Sequence, residues 1–306
     1  MILRLKAVTK DYIWGGTRLR EEYGKIGGNR LAESWELSVH PEGMSTISGG
    51  EYDGMPLGEF VEKFPESTGK NSFGIIPVLI KLIDAKDNLS VQVHPDNDYA
   101  RKYEDDNGKT EMWYIVDCDE NASIIYGFKD KLTKEEFRSA IADNTLLYKV
   151  NTVPVKKGDV FLIRAGTLHA IGKGCLIAEI QQSSNVTYRV YDYGRLDDKG
   201  NPRELHIDKA VDVTNTSPAE IPVQNNEKGG ILCDCEYFTV YREDISGESV
   251  IKQNKDSFTH IMVLEGRGEV ISENCRYTAE KGESFFVTAG TEWHIKGNCS
   301  IIYTVV

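Results

Sequence analysis

The sequence predicts a mainly β protein made of two copies of one sandwich- or barrel-type unit, with a few inserted helices. Three observations lead there. Short segments rich in β-branched and aromatic residues recur along the chain, separated by Gly, Asn and Asp at hairpin spacing. The segment 157–169, KGDVFLIRAGTLH, returns as 281–293, KGESFFVTAGTEW, without a gap, and Gly174-Cys175 is matched in the same register by Asn298-Cys299. Helical signals are few. A β unit present twice is an internal repeat, and the Pro-, Asn- and Gly-containing run 217–230 is its natural linker.

Taken in chain order, a helix is expected over 57–64, followed by a strand in the apolar run 75–83 (IIPVLIKLI) and a short turn of helix over 98–103. Strands follow at 112–116 (MWYIV) and 122–128 (ASIIYGF). The clearest helix spans 133–143, where Thr133 and Glu136 have the spacing of a capping box and Phe137, Ala140 and Ile141 fall on one face. The remaining strands are 159–165, 175–181, 237–242, 260–266 and 284–290.

Composition narrows the functional classes. With 306 residues the chain can bury about three-quarters of its unfolded surface, so it needs no disulfide to fold. Lys plus Arg number 36 against 48 Asp plus Glu, a net charge of −12, which leaves no footprint for a nucleic acid or an anionic membrane. An anionic small substrate must therefore be held by a local basic cluster. The first residues lack the apolar core of a signal peptide and no run approaches a membrane span, so a cytoplasmic location is expected. Six cysteines without a secretion signal read as reduced thiols. Cys233 and Cys235, two apart, would share one face of a strand, and no second Cys or His pair follows to complete a metal finger.

The repeated segment resembles the second motif of the cupin family, in which a Gly-acid pair leads a strand and a His follows an Ala-Gly turn. Gln92-Val-His94 followed by Glu111 resembles that family's first motif. The resemblance implies two cupin-type β-barrels (jelly-roll): residues 1–225 as the metal-binding catalytic unit, with an N-terminal β segment and helical insertions, and 226–306 as a degenerate unit. In the second copy Thr259 stands opposite Glu111 and Trp293 opposite His169, so only one metal per chain is expected. As i and i+2 on a strand, Gln92 and His94 project to one face about 6 to 7 Å apart. With Glu111 and His169 they offer two imidazoles, a carboxylate and an amide oxygen, a set that suits Zn²⁺.

More specifically, the stretches from Lys81 through Ser90 to His94, Lys109 to Trp113, Gly166 to Ala170 and Glu179 to Asp192 resemble the signatures of type I mannose-6-phosphate isomerases, and Trp14-Gly15-Gly16 with 32–38 resembles that family's short bacterial branch. The resemblance implies a zinc-dependent aldose–ketose isomerase acting on a phosphosugar, interconverting mannose 6-phosphate and fructose 6-phosphate through a cis-enediol. It also implies Gln92, His94, Glu111 and His169 as zinc ligands, Arg189 as the catalytic arginine, Lys109 and Glu179 as further catalytic groups, and Ser90, Lys81 and Asn185 in the substrate pocket. Charge that develops on sugar oxygens during a C2-to-C1 proton transfer is best stabilised by fixed cations in a water-poor site.

Each of these residues has a plainer alternative. Arg189 could face solvent from an amphipathic strand, Glu179 and Lys109 are common surface types, and Ser90 could satisfy backbone. Lys109 does share a side with Glu111, and Lys81 in VLIKLI requires a partner or a wet cavity. Some family members carry an Asp base four residues before the arginine; here Asn185 stands there and cannot take a proton, leaving Glu179, Lys109 or a metal-bound hydroxyl. Arg195, Arg203 and His206 could help with the phosphate but receive no firm role, and His40, His260 and His294 read as structural or surface residues. Two competitors remain: an O₂-using cupin oxidoreductase, disfavoured by Gln92, and a non-catalytic sugar-binding or regulatory cupin. Oligomeric state is not encoded in any of these features.

Overall fold

The computed structural model describes residues 1–196, 199–222 and 230–306; the unit boundary expected after residue 225 falls outside them. The architecture is the expected mainly β one, with sheets that face one another in jelly-roll fashion and, among the described residues, no continuous hydrogen-bonded ring of strands.

A six-stranded sheet runs in the order Val160–Ile163, Glu111–Cys118, Cys175–Gln182, Val78–Ala85, Val8–Gly16 and Leu31–Leu37. A five-stranded sheet, ordered Val150–Pro154, Ser123–Phe128, His169–Ile171, Val91–Val93 and Tyr188–Tyr191, lies across from it. Period-two alternation sorts the side chains. Ile83, Ile115 and Ile177 point inward onto Ile124 and Ile171, while Leu82, Tyr114, Leu176 and Ala178 point to the outer face. Along the inward face apolar residues give way to Lys81, Glu111 and Glu179 at one end, so the same periodicity that builds the core opens a polar pocket beside it.

The outer face of the six-stranded sheet is covered by the C-terminal sheet, through Leu82, Tyr114 and Ile180 on one side and Val240, Met262, Phe286 and Ile302 on the other. The strand Ile2–Lys6 does not join the first unit's sheets. It pairs antiparallel with Ser284–Val287, Ile2 opposite Val287, and with Thr46–Ile47 on its other edge.

The repeat is reproduced in register. Tyr114 pairs with Val160 and Glu111 with Ile163; in the second unit Met262 pairs with Ser284 and Thr259 with Val287. The two copies even share left-handed turns, Gly158 and Gly166 at φ +92° and +82° against Gly282 and Gly290 at +87° and +78°. Helix Lys134–Ala142 has both arms of its capping box: Thr133 Oγ1 accepts from the Glu136 N–H and Glu136 Oε2 from the Thr133 N–H. It buries Phe137 and Ile141 on the outer side of the five-stranded sheet, about 2 to 3 kcal/mol for the Phe ring. Helices Leu57–Lys63 and Asn97–Tyr103 lie where expected, whereas Arg18–Glu21, Leu146–Lys149 and Ile207–Val213 are short, have no side-chain cap and gave no signal.

Candidate functional site

Strand pairing lines up the site. In the five-stranded sheet His169 is directly opposite both Tyr126 and Gln92, and Gln92 is opposite Arg189, so three chemistry-bearing side chains form one cross-strand row. In the facing sheet Glu179 is flanked by Lys81 and Trp113, with Trp35 beyond Lys81.

His94, Glu111 and His169 converge. All three are fully buried, and one ligand atom from each lies within 4.8 Å of the others. Glu111 Oε2 is 3.4 Å from His94 Nε2 and Oε1 is 3.4 Å from His169 Nε2. Both rings have Nδ1 against a backbone carbonyl, Val186 O at 2.7 Å and Thr167 O at 2.8 Å, which places N–H on Nδ1 and aims the Nε2 lone pairs at the shared space. Burial lowers the His169 pKa to about 4 and, reinforced by Lys109, that of His94 well below its usual value. Both imidazoles are thus neutral ligands at pH 7.

Among the described residues, Glu111 Oε1 and His169 Nε2 are buried without a hydrogen-bond partner. Such orphaned acceptors call for a cation. The Lys109 ammonium already reaches into the cluster, donating to Glu111 Oε2 and standing 3.1 Å from His94 Nε2. Burial, reinforced by Glu179, raises Glu111 to about 7. The donor set fits a divalent metal, and it is the one such His/Cys/Asp/Glu group among the described residues. In the second unit Thr259 and Trp293 are buried, with Trp293 in its apolar core.

A cavity of about 300 Å³ adjoins this cluster. Seven residues singled out in the sequence line it: Lys81, Ser90, Gln92, Lys109, Glu179, Asn185 and Arg189. Ser90 joins two of them, its Oγ donating to Gln92 Oε1 at 3.3 Å and accepting from Arg189 Nε at 3.2 Å, so the hydroxyl does more than satisfy backbone. Arg189 is half-buried, not on solvent; its Nη1 donates to Glu204 O. Lys81 has the partners its apolar strand required, Glu179 at 3.4 Å and Glu33 at 3.6 Å, which raise its pKa against the effect of burial. Burial would raise Glu179, but Lys109, Lys81 and the Trp113 Nε1–H at 2.9 Å hold it lowered and ionised. Asn185 donates Nδ2 to Glu42 Oε2 at 2.6 Å.

Sequence reasoning missed Glu33 and Tyr12, which also line the cavity, as do Trp14, singled out only as part of a family signature, and Arg203, given no firm role. A charged residue beside Trp35 in the fully buried strand Leu31–Leu37 was a signal for Glu33, whose Oε2 accepts from Trp35 Nε1 at 2.7 Å. Trp14 precedes a glycine pair, and a Cβ at Gly16 would lie 2.2 Å from Asp84 Oδ2, which explains the glycine there. Cys233 and Cys235 sit together in the apolar layer between the units, and all six cysteines are free. No helix among the described residues is long and apolar enough to cross a membrane.

The family description "Phosphomannose isomerase type I, catalytic domain" matches residues 2–125, and "Mannose-6-phosphate isomerase, cupin domain" matches 230–306. Mannose-6-phosphate isomerase of Streptococcus mutans is 42% identical, covering 98% of this chain and 96% of its own length. Mannose-6-phosphate isomerase ManA of Bacillus subtilis is 39% identical over 98% and 97%. The crystal structure of the mannose 6-phosphate isomerase from Bacillus subtilis superposes with a TM-score of 0.91 at 38% identity, covering 100% of this chain and 99% of that one. The apo enzyme of Salmonella typhimurium, at 18% identity and TM-score 0.79 over 99% and 98%, shares the fold.

Proposed function

The chain belongs to the type I phosphomannose isomerases, a family of aldose–ketose isomerases, and from that premise we propose that it interconverts mannose 6-phosphate and fructose 6-phosphate through a cis-enediol, with one zinc ion held by Gln92, His94, Glu111 and His169. The observation that carries the reading is the pair of orphaned buried acceptors, Glu111 Oε1 and His169 Nε2, beside a cavity lined with fixed cations. A divalent ion in such a site supplies Lewis-acid stabilisation of negative charge on the sugar oxygens.

The protein's own groups divide the remaining work. Of the two cavity carboxylates outside the ligand set, Glu33 is tied to Trp35 and Glu179 is held ionised; Glu179 removes the proton from C2 and returns it to C1, while the hydroxyl proton passes from O2 to O1. Lys81 keeps Glu179 ionised between turnovers. The Arg189 guanidinium, oriented by Ser90, and the Lys109 ammonium face the oxygen charge that develops in between, and a planar fork holds such charge better than a point cation. Asn185 at the rim takes a sugar hydroxyl. Six free thiols suit a reducing compartment, in keeping with action in the cytoplasm.

The decisive experiment pairs elemental analysis of the purified protein with a coupled assay for fructose 6-phosphate. One zinc per chain is expected, with activity abolished by chelation and restored by Zn²⁺. Full activity in metal-stripped protein would refute the zinc assignment, and absence of isomerisation by zinc-replete protein would refute the reaction.

A further inference from the structure

One of the cations lining the cavity is held by a buried acid outside the lining. Asp192 is 6% exposed and sits between two arginines. Arg203 meets it side-on, Nε donating to Oδ2 at 2.7 Å and Nη2 to Oδ1, and Arg195 Nη2 donates to Oδ1 as well. Arg203 lines the cavity together with Arg189. Arg195 does not; its Nη1 and Nε are given to the Asn88 and Asp192 carbonyls. After burial, Arg203 is the strongest influence lowering the Arg189 pKa, so the two guanidiniums feel each other closely. Next to Arg203, Pro202 forms an antiparallel bridge with Leu196.

We propose that Arg203 anchors the phosphate of the substrate and that Asp192 is its positioning residue; the inference rests on the phosphosugar reading above. Three guanidiniums against Asp192 and the exposed Glu204 leave a local positive surplus, complementary to a phosphate monoester dianion, in a chain whose net charge of −12 otherwise repels one. Asp192 engages the Nε and Nη2 edge of Arg203, which fixes the fork and leaves the Nη1 edge unclaimed by the carboxylate. A guanidinium held in this way loses little rotamer freedom on binding, and its remaining Nη1 edge presents N–H groups to a phosphate in a fixed direction that a free lysine lacks. Arg189, by contrast, is tied through Ser90 to Gln92 and so belongs to the reacting end. One substrate therefore spans both ends, with C1 and C2 near the histidine cluster and the phosphate against Arg203.

The test compares metal-loaded wild type with Arg203→Ala, Arg203→Lys, Asp192→Asn and the Arg203→Ala/Asp192→Asn pair, measuring kcat and KM for mannose 6-phosphate and inhibition by inorganic phosphate. Arg203→Ala is expected to raise KM and the phosphate inhibition constant together, each by about 10- to 100-fold, with kcat within about threefold and metal content unchanged. Arg203→Lys recovers part. Asp192→Asn raises KM less, and the double variant is no worse than Arg203→Ala, because the acid acts through the arginine. A kcat loss at constant KM in Arg203→Ala, or unchanged KM and phosphate inhibition in either Arg203 variant, overturns the assignment while leaving the isomerase reading intact. Should Arg203→Ala not fold, Arg203→Lys with undiminished phosphate inhibition does the same. A wild type that binds inorganic phosphate but does not turn over mannose 6-phosphate sinks the earlier reading instead, and calorimetric phosphate binding unaffected by Arg203→Lys then sinks this one too.

Discussion

His260 offers a quantitative test of how the two units are joined. It lies in the strand Thr259–Ile271, opposite Phe286 and Thr304, fully buried, and among the described residues neither ring nitrogen has a hydrogen-bond partner. Burial, reinforced by the Lys25 ammonium, lowers its pKa from the ordinary 6.5 to about 3. The unfolded chain therefore binds a proton between these values that the folded chain refuses, and stability falls as pH drops through that window. Going from pH 7 to pH 5 the unfolded His260 becomes almost fully protonated while the folded one stays neutral, which costs about 2 kcal/mol. Replacing His260 by Leu removes this proton without opening a large cavity. Urea unfolding at the two pH values should show wild type losing about 2 kcal/mol more than His260→Leu, with the other histidines cancelling in the difference. Equal losses in the two proteins would refute the reasoning, since the ring would then be protonated or hydrated in the folded state.

Three further outcomes follow from the site. His169→Ala should lower bound zinc as well as rate, because its Nε2 is one of the two orphaned acceptors, and metal analysis of the variant checks it. Arg189→Ala should lose about 10²- to 10³-fold in kcat with zinc retained, and Arg189→Lys should regain only part; a rise in KM alone would make the residue an anchor instead. Thr259→Ala should leave turnover near wild type, since Thr259 occupies the ligand position of a unit whose other counterpart is Trp293; a loss as large as that of a ligand variant would show that the second unit takes part in the chemistry.

Much of this molecule was legible because its information is local or periodic. The apolar run 175–181, the capping box at Thr133 and the ungapped repeat each lie within a few residues or at a fixed offset, and the strand register reproduces the repeat pair for pair. The metal-capable trio was legible as motif spacing. What escaped depends on partners far apart in the chain. Glu33 is a site residue because Trp35 lands opposite Lys81, Asn185 is tied to Glu42, and Trp113 is tied to Glu179 because their strands pair, none of which has a signature in its own neighbourhood. The three missed helices, four to seven residues long and without side-chain caps, are held by packing and not by propensity.

The pairing of Ile2–Lys6 with Ser284–Val287 has a consequence for how the chain is made. Its first strand finds its partner some 285 residues later, so a ribosome working at 5 to 20 residues per second needs roughly 15 to 60 s to supply it. Over that interval the edge of Ile2–Lys6 that faces Ser284–Val287, and the outer face carried by Leu82, Tyr114 and Leu176, lack the partners the C-terminal sheet supplies, although Thr46–Ile47 can already pair with the strand's other edge. The nascent first unit is therefore a sticky intermediate with one open strand edge, and productive folding closes the C-terminal sheet backward onto that first strand.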